Sequence, residues 1–254
     1  MLARISFQLL PVLALIFPLL ILLFVNEKAL AQQYSAEQGG NYTKTLSFSA
    51  PAEAVDFAET LNLITQAYNN VGYRVKIVPM PAKRAMYEAV HSDWVDGVVG
   101  RVEMAGELLS NYTRIPVPIG RVEVFAYYRQ DSSEKLADIS SWSELSPYRV
   151  ASLRGVIISS NNLTKHKVDS QRVTYARQAF EMLMHKHVDL VVLPRQMAEQ
   201  VLKGGEFGQV RQSLTYLDQK FLYHYLHQKH DALVPALTLH FSRLFPQYAS
   251  SVSR

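Results

Sequence analysis

The chain has 254 residues, with 26 basic against 22 acidic side chains for a formal charge of +4, and no cysteine. That balance is too mild for a nucleic-acid binder, and no basic stripe interleaved with aromatics occurs. Without disulfides the fold must be held by burial alone, which a chain of this length can manage and a small secreted scaffold cannot.

Arg4 precedes an apolar run from Leu9 to Val25, interrupted only by Pro11 and Pro18, and Ala29-Leu30-Ala31 has the small-residue spacing that export peptidases cut. Residues 1–31 are therefore read as a signal peptide that delivers a periplasmic chain starting near Gln32. An uncleaved membrane anchor is the alternative, although a prolyl run of this length sits at the lower edge of what spans a bilayer. The polar stretch 32–44 reads as a flexible leader.

Periodicity begins at Thr45. Leu46 and Phe48 alternate with Ser47 and Ser49 as a short strand closed by Pro51. Val55, Phe57, Ala58, Leu61, Ile64, Ala67 and Tyr68 then recur at helical spacing up to Gly72. Tyr73 to Met80 is predicted as a strand, and Pro81 opens a helix through Ala82, Ala85, Met86, Ala89 and Val90. Another strand is expected from Trp94 to Val99. Such alternation with short connections predicts a parallel sheet covered by helices.

Ile115-Pro116-Val117-Pro118 leads into a strand long enough to leave one lobe and enter another, with Val122, Val124 and Ala126 alternating against Glu123, Phe125 and Tyr127. Beyond it, strands are expected at Tyr148 to Leu153, Arg172 to Tyr175, Val188 to Leu193, Leu214 to Leu217 and Phe221 to Leu226. Helices are expected at Gln178 to Lys186, Gln196 to Lys203 and Asp231 to Phe245. Tyr223 to Tyr225 is where the chain would cross back, which divides it into residues 45–122 with 224–254 as one lobe and 123–223 as the other.

The runs Pro79-Met80-Pro81-Ala82-Lys83-Arg84-Ala85-Met86, Asp96-Gly97-Val98-Val99-Gly100-Arg101 and Asn111-Tyr112-Thr113-Arg114-Ile115-Pro116-Val117-Pro118 resemble the solitary bacterial proteins of extracellular solute-binding protein family 3. Trp142-Ser143-Glu144-Leu145, the run from Arg149 to Gly155 and Val188-Asp189-Leu190 continue the resemblance, which spans about Thr45 to Phe245. It implies an α/β type II periplasmic-binding-protein fold, two lobes joined by two crossing strands, that closes on a small-molecule ligand. It also implies a monomer that hands its ligand to a membrane permease or docks on a sensor receptor as its input subunit. Amino-acid-binding members of the family carry an arginine about a dozen residues past the aspartate of the third strand. Leu108 and Leu109 stand there in this chain, and Arg101 is nearer. Where those members hold the α-ammonium with an aspartate, this sequence has Pro194 followed by Arg195.

Arg101 is the foremost candidate ligand-binding residue, because a guanidinium beyond an apolar strand grips carboxylate or phosphate with two parallel hydrogen bonds. A solvated arginine paired with Glu103 is the plainer reading. Arg84 sits in a helix first turn, where the macrodipole disfavours a cation. Arg154 and Gly155 follow a strand, so the amides of the next turn can receive an anion or merely form a turn. Ser49 on the first strand and Tyr127 near the crossover complete the candidate set. His224, His227 and His230 recur every third residue, a spacing that puts them on no common face of strand or helix, so no metal is expected. No cofactor motif, nucleophile elbow or phosphate loop occurs, and binding rather than catalysis is expected. Glu53 and Glu103 are the cleft carboxylates that a dehydratase or lyase on the same fold would use.

Overall fold

The computed structural model describes residues 44–52, 58–132 and 134–249. The signal peptide, nearly all of the leader, Val55, Phe57 and Glu53 lie outside the described residues. No described helix is long and apolar enough to cross a membrane.

Two groups of strands form one hydrogen-bonded path. In chain order the elements are β1 (Lys44–Pro51), α1 (Ala58–Asn70), β2 (Tyr73–Met80), α2 (Ala82–His91), β3 (Gly97–Val102), β4 (Tyr112–Arg129) and β5 (Val150–Leu153). They continue with α3 (Ile157–Lys165), β6 (Ser170–Val173), α4 (Ala176–Met184), β7 (Leu190–Pro194), α5 (Arg195–Leu202), β8 (Val210–Gln212), β9 (Asp218–His227), α6 (Val234–Leu244) and α7 (Pro246–Ala249). Sheet order is β2-β1-β3-β9-β4-β7-β5-β6, with β8 paired to β4. The parallel pairs β1/β2 and β1/β3 lie at one end, and β5/β7 and β5/β6 at the other. Between them β4 and β9 run antiparallel from Tyr112 opposite His227 to Val124 opposite Asp218. These two strands cross from one α/β lobe to the other and keep the ladder continuous.

Each lobe has its own apolar core. In the first, Phe48 and Leu46 of β1 pack with Ile64 and Tyr68 of α1 and Phe241 of α6. The second gathers Val124 to Tyr127 of β4 with Trp142, Phe180 and the whole of β7. All five residues of β7 are buried, as a strand covered on both faces requires. The alternation expected in β4 fails past Val124, because Phe125 and Tyr127 are buried as well as Val124 and Ala126. Pro116 and Pro118 are tolerated inside β4 because the β4/β9 register shifts between Arg114 and Gly120, so neither interrupts a regular ladder.

Three expectations are corrected. The third strand begins at Gly97 and not Trp94, because Asp96 fixes the preceding turn: its N–H donates to Ser47 O at 2.8 Å and its carboxylate accepts from Ser47 N–H at 2.9 Å. The strand extends to Val102 along β9, so Arg101 lies within it, opposite Tyr223. No strand forms over Leu214 to Leu217. The Ser213 hydroxyl bonds Thr215 O at 2.9 Å in a local turn, Leu214 is 77% exposed, and the strand of this region is β8. Finally, α6 starts at Val234 after a 3₁₀ turn over Gln228–Leu233, with Pro235 in its first turn. Helix α3 was not expected. Its Ser-Ser-Asn-Asn run has little intrinsic helicity, and burial of Ile158 and Leu163 decides the outcome.

Candidate functional site

A cavity of about 80 Å3 lies between the lobes, lined from one side by Ala82, Arg101 and Val102 and from the other by Gly155, Ile157 and Gln196. The lobes are closed on each other. Gly155 marks the tightest approach: at φ +87 it comes so near α2 that a Cβ there would fall 2.3 Å from Lys83 N and 2.7 Å from Ala82 C. Only glycine fits both the backbone angle and the contact.

Three helices begin at this cavity, and none has a side-chain cap. Helix α2 starts after Pro81, α3 after Val156 and α5 after Pro194, and Ala82, Ile157 and Gln196 from their first turns line the space. First-turn amides have no intrahelical acceptor, and their dipoles add a positive potential. Arg101 adds a full charge. It is only 7% exposed, with Nε donating to Met86 Sδ and Nη1 to Gly100 O, each at 3.0 Å. Gln196 contributes an amide whose nitrogen donates to Arg121 O at 3.2 Å, while the buried Oε1 has no hydrogen-bond partner. The lining is mostly apolar, and Arg101 and Gln196 are its polar side chains, placed beside the three helix starts.

Of the six residues singled out in the sequence, Arg101 and Gly155 meet at this cavity. Arg84 and Arg154 stand together at its rim, both exposed. Ser49 and Tyr127 do not reach it and line neither the cavity nor the rim. The Ser49 hydroxyl is fully buried and donates to Ala85 O at 3.2 Å, tying β1 to α2. Tyr127 is buried in the second core, edge-on to Phe180 at 5.6 Å, and burial raises its phenol well above the ordinary value. Gln196 was missed. Its only sequence signal is Pro194, which marks a strand-to-helix boundary at the carboxyl end of a buried strand. Arg195 pairs with Glu123 at 3.1 Å and lies over the Phe125 ring. Glu103 is held by Arg114 rather than by Arg101.

The three regularly spaced histidines go to three places. His224 is buried against the Tyr68 hydroxyl at 2.7 Å, and burial pushes its imidazole down to about 4. His227 packs on Tyr112, and His230 bonds Asp96 at 2.8 Å. Burial opposes ionisation of Asp96, yet His230, the Ser47 amide and Lys229 together hold its carboxyl below the usual range.

No family model matches the chain. An uncharacterized protein of Shewanella oneidensis is 26% identical over 201 residues, which cover 77% of this chain and 74% of that one. Among solved structures, the arginine-bound form of truncated ArgBP from T. maritima is similar with a TM-score of 0.63 at 16% identity, over 79% of this chain and 96% of that chain. A histidine kinase sensor domain described as similar to periplasmic binding proteins gives 0.66 at 13% identity, over 83% and 94%. An ABC uptake transporter substrate-binding protein from Streptococcus pneumoniae with bound histidine gives 0.62 at 13% identity, over 87% and 94%. The fold is that of the type II periplasmic binding proteins, two α/β lobes joined by two crossing strands.

Proposed function

We propose that this chain is an exported, non-enzymatic binding protein that closes residues 45–122 with 224–254 against residues 123–223 around a small anion-bearing solute. The convergence of three uncapped helix starts on the space beside Arg101 carries this reading. A carboxylate or phosphate of the solute would take those amides and the Arg101 guanidinium, and a donor of the solute would take Gln196 Oε1. The solute enters while the lobes are apart and is enclosed when they meet. Delivery goes to a membrane permease or a sensor receptor; uptake transport and sensing are the roles named for two of the similar solved structures.

A thermal-shift screen of amino acids, dicarboxylates and phosphorylated metabolites tests the reading. A solute at one hundred times its dissociation constant adds about 2.7 kcal/mol of stability, or roughly 5–11 °C for a chain of this size. Arg101→Met is expected to abolish that shift while leaving the unliganded protein folded by circular dichroism. A solute whose shift survives Arg101→Met refutes the assignment.

A further inference from the structure

Two recesses of about 420 and 410 Å3 open at the rim of the cavity, and Lys83 and Arg154 line both. Arg84 adds a charge to the first and Arg172 to the second. Lys83 and Arg84 come from the first turn of α2, Arg154 from the turn after β5 and Arg172 from β6, so the cluster draws on both lobes. All four side chains are exposed.

Little on the protein neutralises them. Among the described residues Lys83, Arg154 and Arg172 have no ion-pair partner, and Arg84 reaches only Glu88 Oε1 at a long 3.4 Å. Glu88 is engaged elsewhere: its Oε2 accepts from Ser92 Oγ at 2.6 Å and Trp94 Nε1 at 3.1 Å, contacts that hold its carboxyl below the ordinary value. The first turn of α2 carries no acidic residue, so the macrodipole adds to the charge instead of offsetting it. Closure makes this worse. The Gly155 backbone meets the Lys83 backbone directly, which sets neighbouring Arg154 beside Lys83 and forces like charges from the two lobes together.

We infer that this rim is a second anion site, for a small anion with two or more negative charges such as a diphosphate, and that its occupation favours the closed form. Such an anion bridges Lys83 and Arg84 of one lobe to Arg154 of the other in the first recess, or Lys83 to Arg154 and Arg172 in the second, and so binds the closed state better than the open one. The inference stands on the rim charges and does not depend on what the cavity holds.

Inorganic pyrophosphate is the probe, added at constant ionic strength with sodium acetate as the monovalent control. Pyrophosphate is expected to raise the melting temperature and lower the radius of gyration in X-ray scattering, and acetate to do neither. The double variant Arg154→Gln, Arg172→Gln changes only exposed side chains and should weaken pyrophosphate binding at least tenfold, while Arg101→Met leaves it intact. Three results overturn the inference: no response to pyrophosphate, a response that survives the double variant, or a response lost with Arg101→Met alone, which places the anion in the cavity. Rim-dependent co-sedimentation with phosphatidylglycerol vesicles, without a pyrophosphate response, assigns the charges to a lipid surface and overturns it too.

Discussion

Gly155 does two things that no other residue can do at that position. Its backbone occupies the left-handed region, where a side chain costs roughly 1–2 kcal/mol, and its missing Cβ leaves room for the α2 backbone. The atoms that an added methyl would meet are backbone atoms of Lys83 and Ala82, which cannot swing aside as a flexible side chain can. Gly155→Ala is therefore expected to hold the lobes apart while both cores stay folded. Small-angle scattering in saturating pyrophosphate should give a larger radius of gyration for the variant than for the parent; identical profiles would show that the closed contact is dispensable.

At the scale of elements, β7 and β6 differ in protection. Strand β7 is paired on both sides, to β4 and β5, and buried along its length, whereas β6 ends the sheet, with Gln171 and Arg172 exposed. Hydrogen exchange should leave the β7 amides protected far longer than those of β6. Equal rates in the two would mean that the second lobe opens as a single unit. The same contrast shows what the sequence disclosed. The nearly continuous apolar Val-Asp-Leu-Val-Val-Leu run suits a strand covered on both faces, and the helical periods of α2 and α4 are equally direct. Helix α3 was illegible because Ser and Asn favour caps and turns, and only tertiary burial overrules that preference. Arg101 could be picked out as a charge just beyond an apolar run, although that run predicts a strand ending before it. Ser49 and Tyr127 could not be placed, since a period of two says which residues share a face and not whether that face meets core or cleft. Gln196 gave no pattern of its own.

For the whole molecule, the buried Tyr68–His224 pair predicts how stability follows pH. The His224 imidazole is lowered from 6.5 to about 4, so between those values the unfolded chain binds a proton that the folded one refuses. Stability is complete above about pH 6.5 and falls as pH drops toward 4, by about 2 kcal/mol between pH 7.5 and pH 5. Asp96, whose carboxyl is held low, adds a further loss only under more acidic conditions. Urea denaturation at the two pH values measures the change. The double variant Tyr68→Phe, His224→Phe replaces both partners with apolar rings and should remove most of it, although His227, also lowered by burial, retains a share of the same sign. A parent protein with the same midpoint at both pH values contradicts the prediction.

The return of β9 to β3 also dictates an order of assembly. Tyr225 of β9 donates its hydroxyl to Val102 O, 123 residues back along the chain, and among the described strands β9 alone joins β3 to the ladder on that side. As the chain emerges from synthesis N-terminus first, β4 to β8 with α3 to α5 are all present before β9 appears, while the lobe built on β1 to β3 still lacks its closing strand and α6. The later-encoded lobe can thus reach its native packing first, and the lobe built on β1 waits for Leu226, Leu237 and Phe241 of the final segment to complete the core around Phe48.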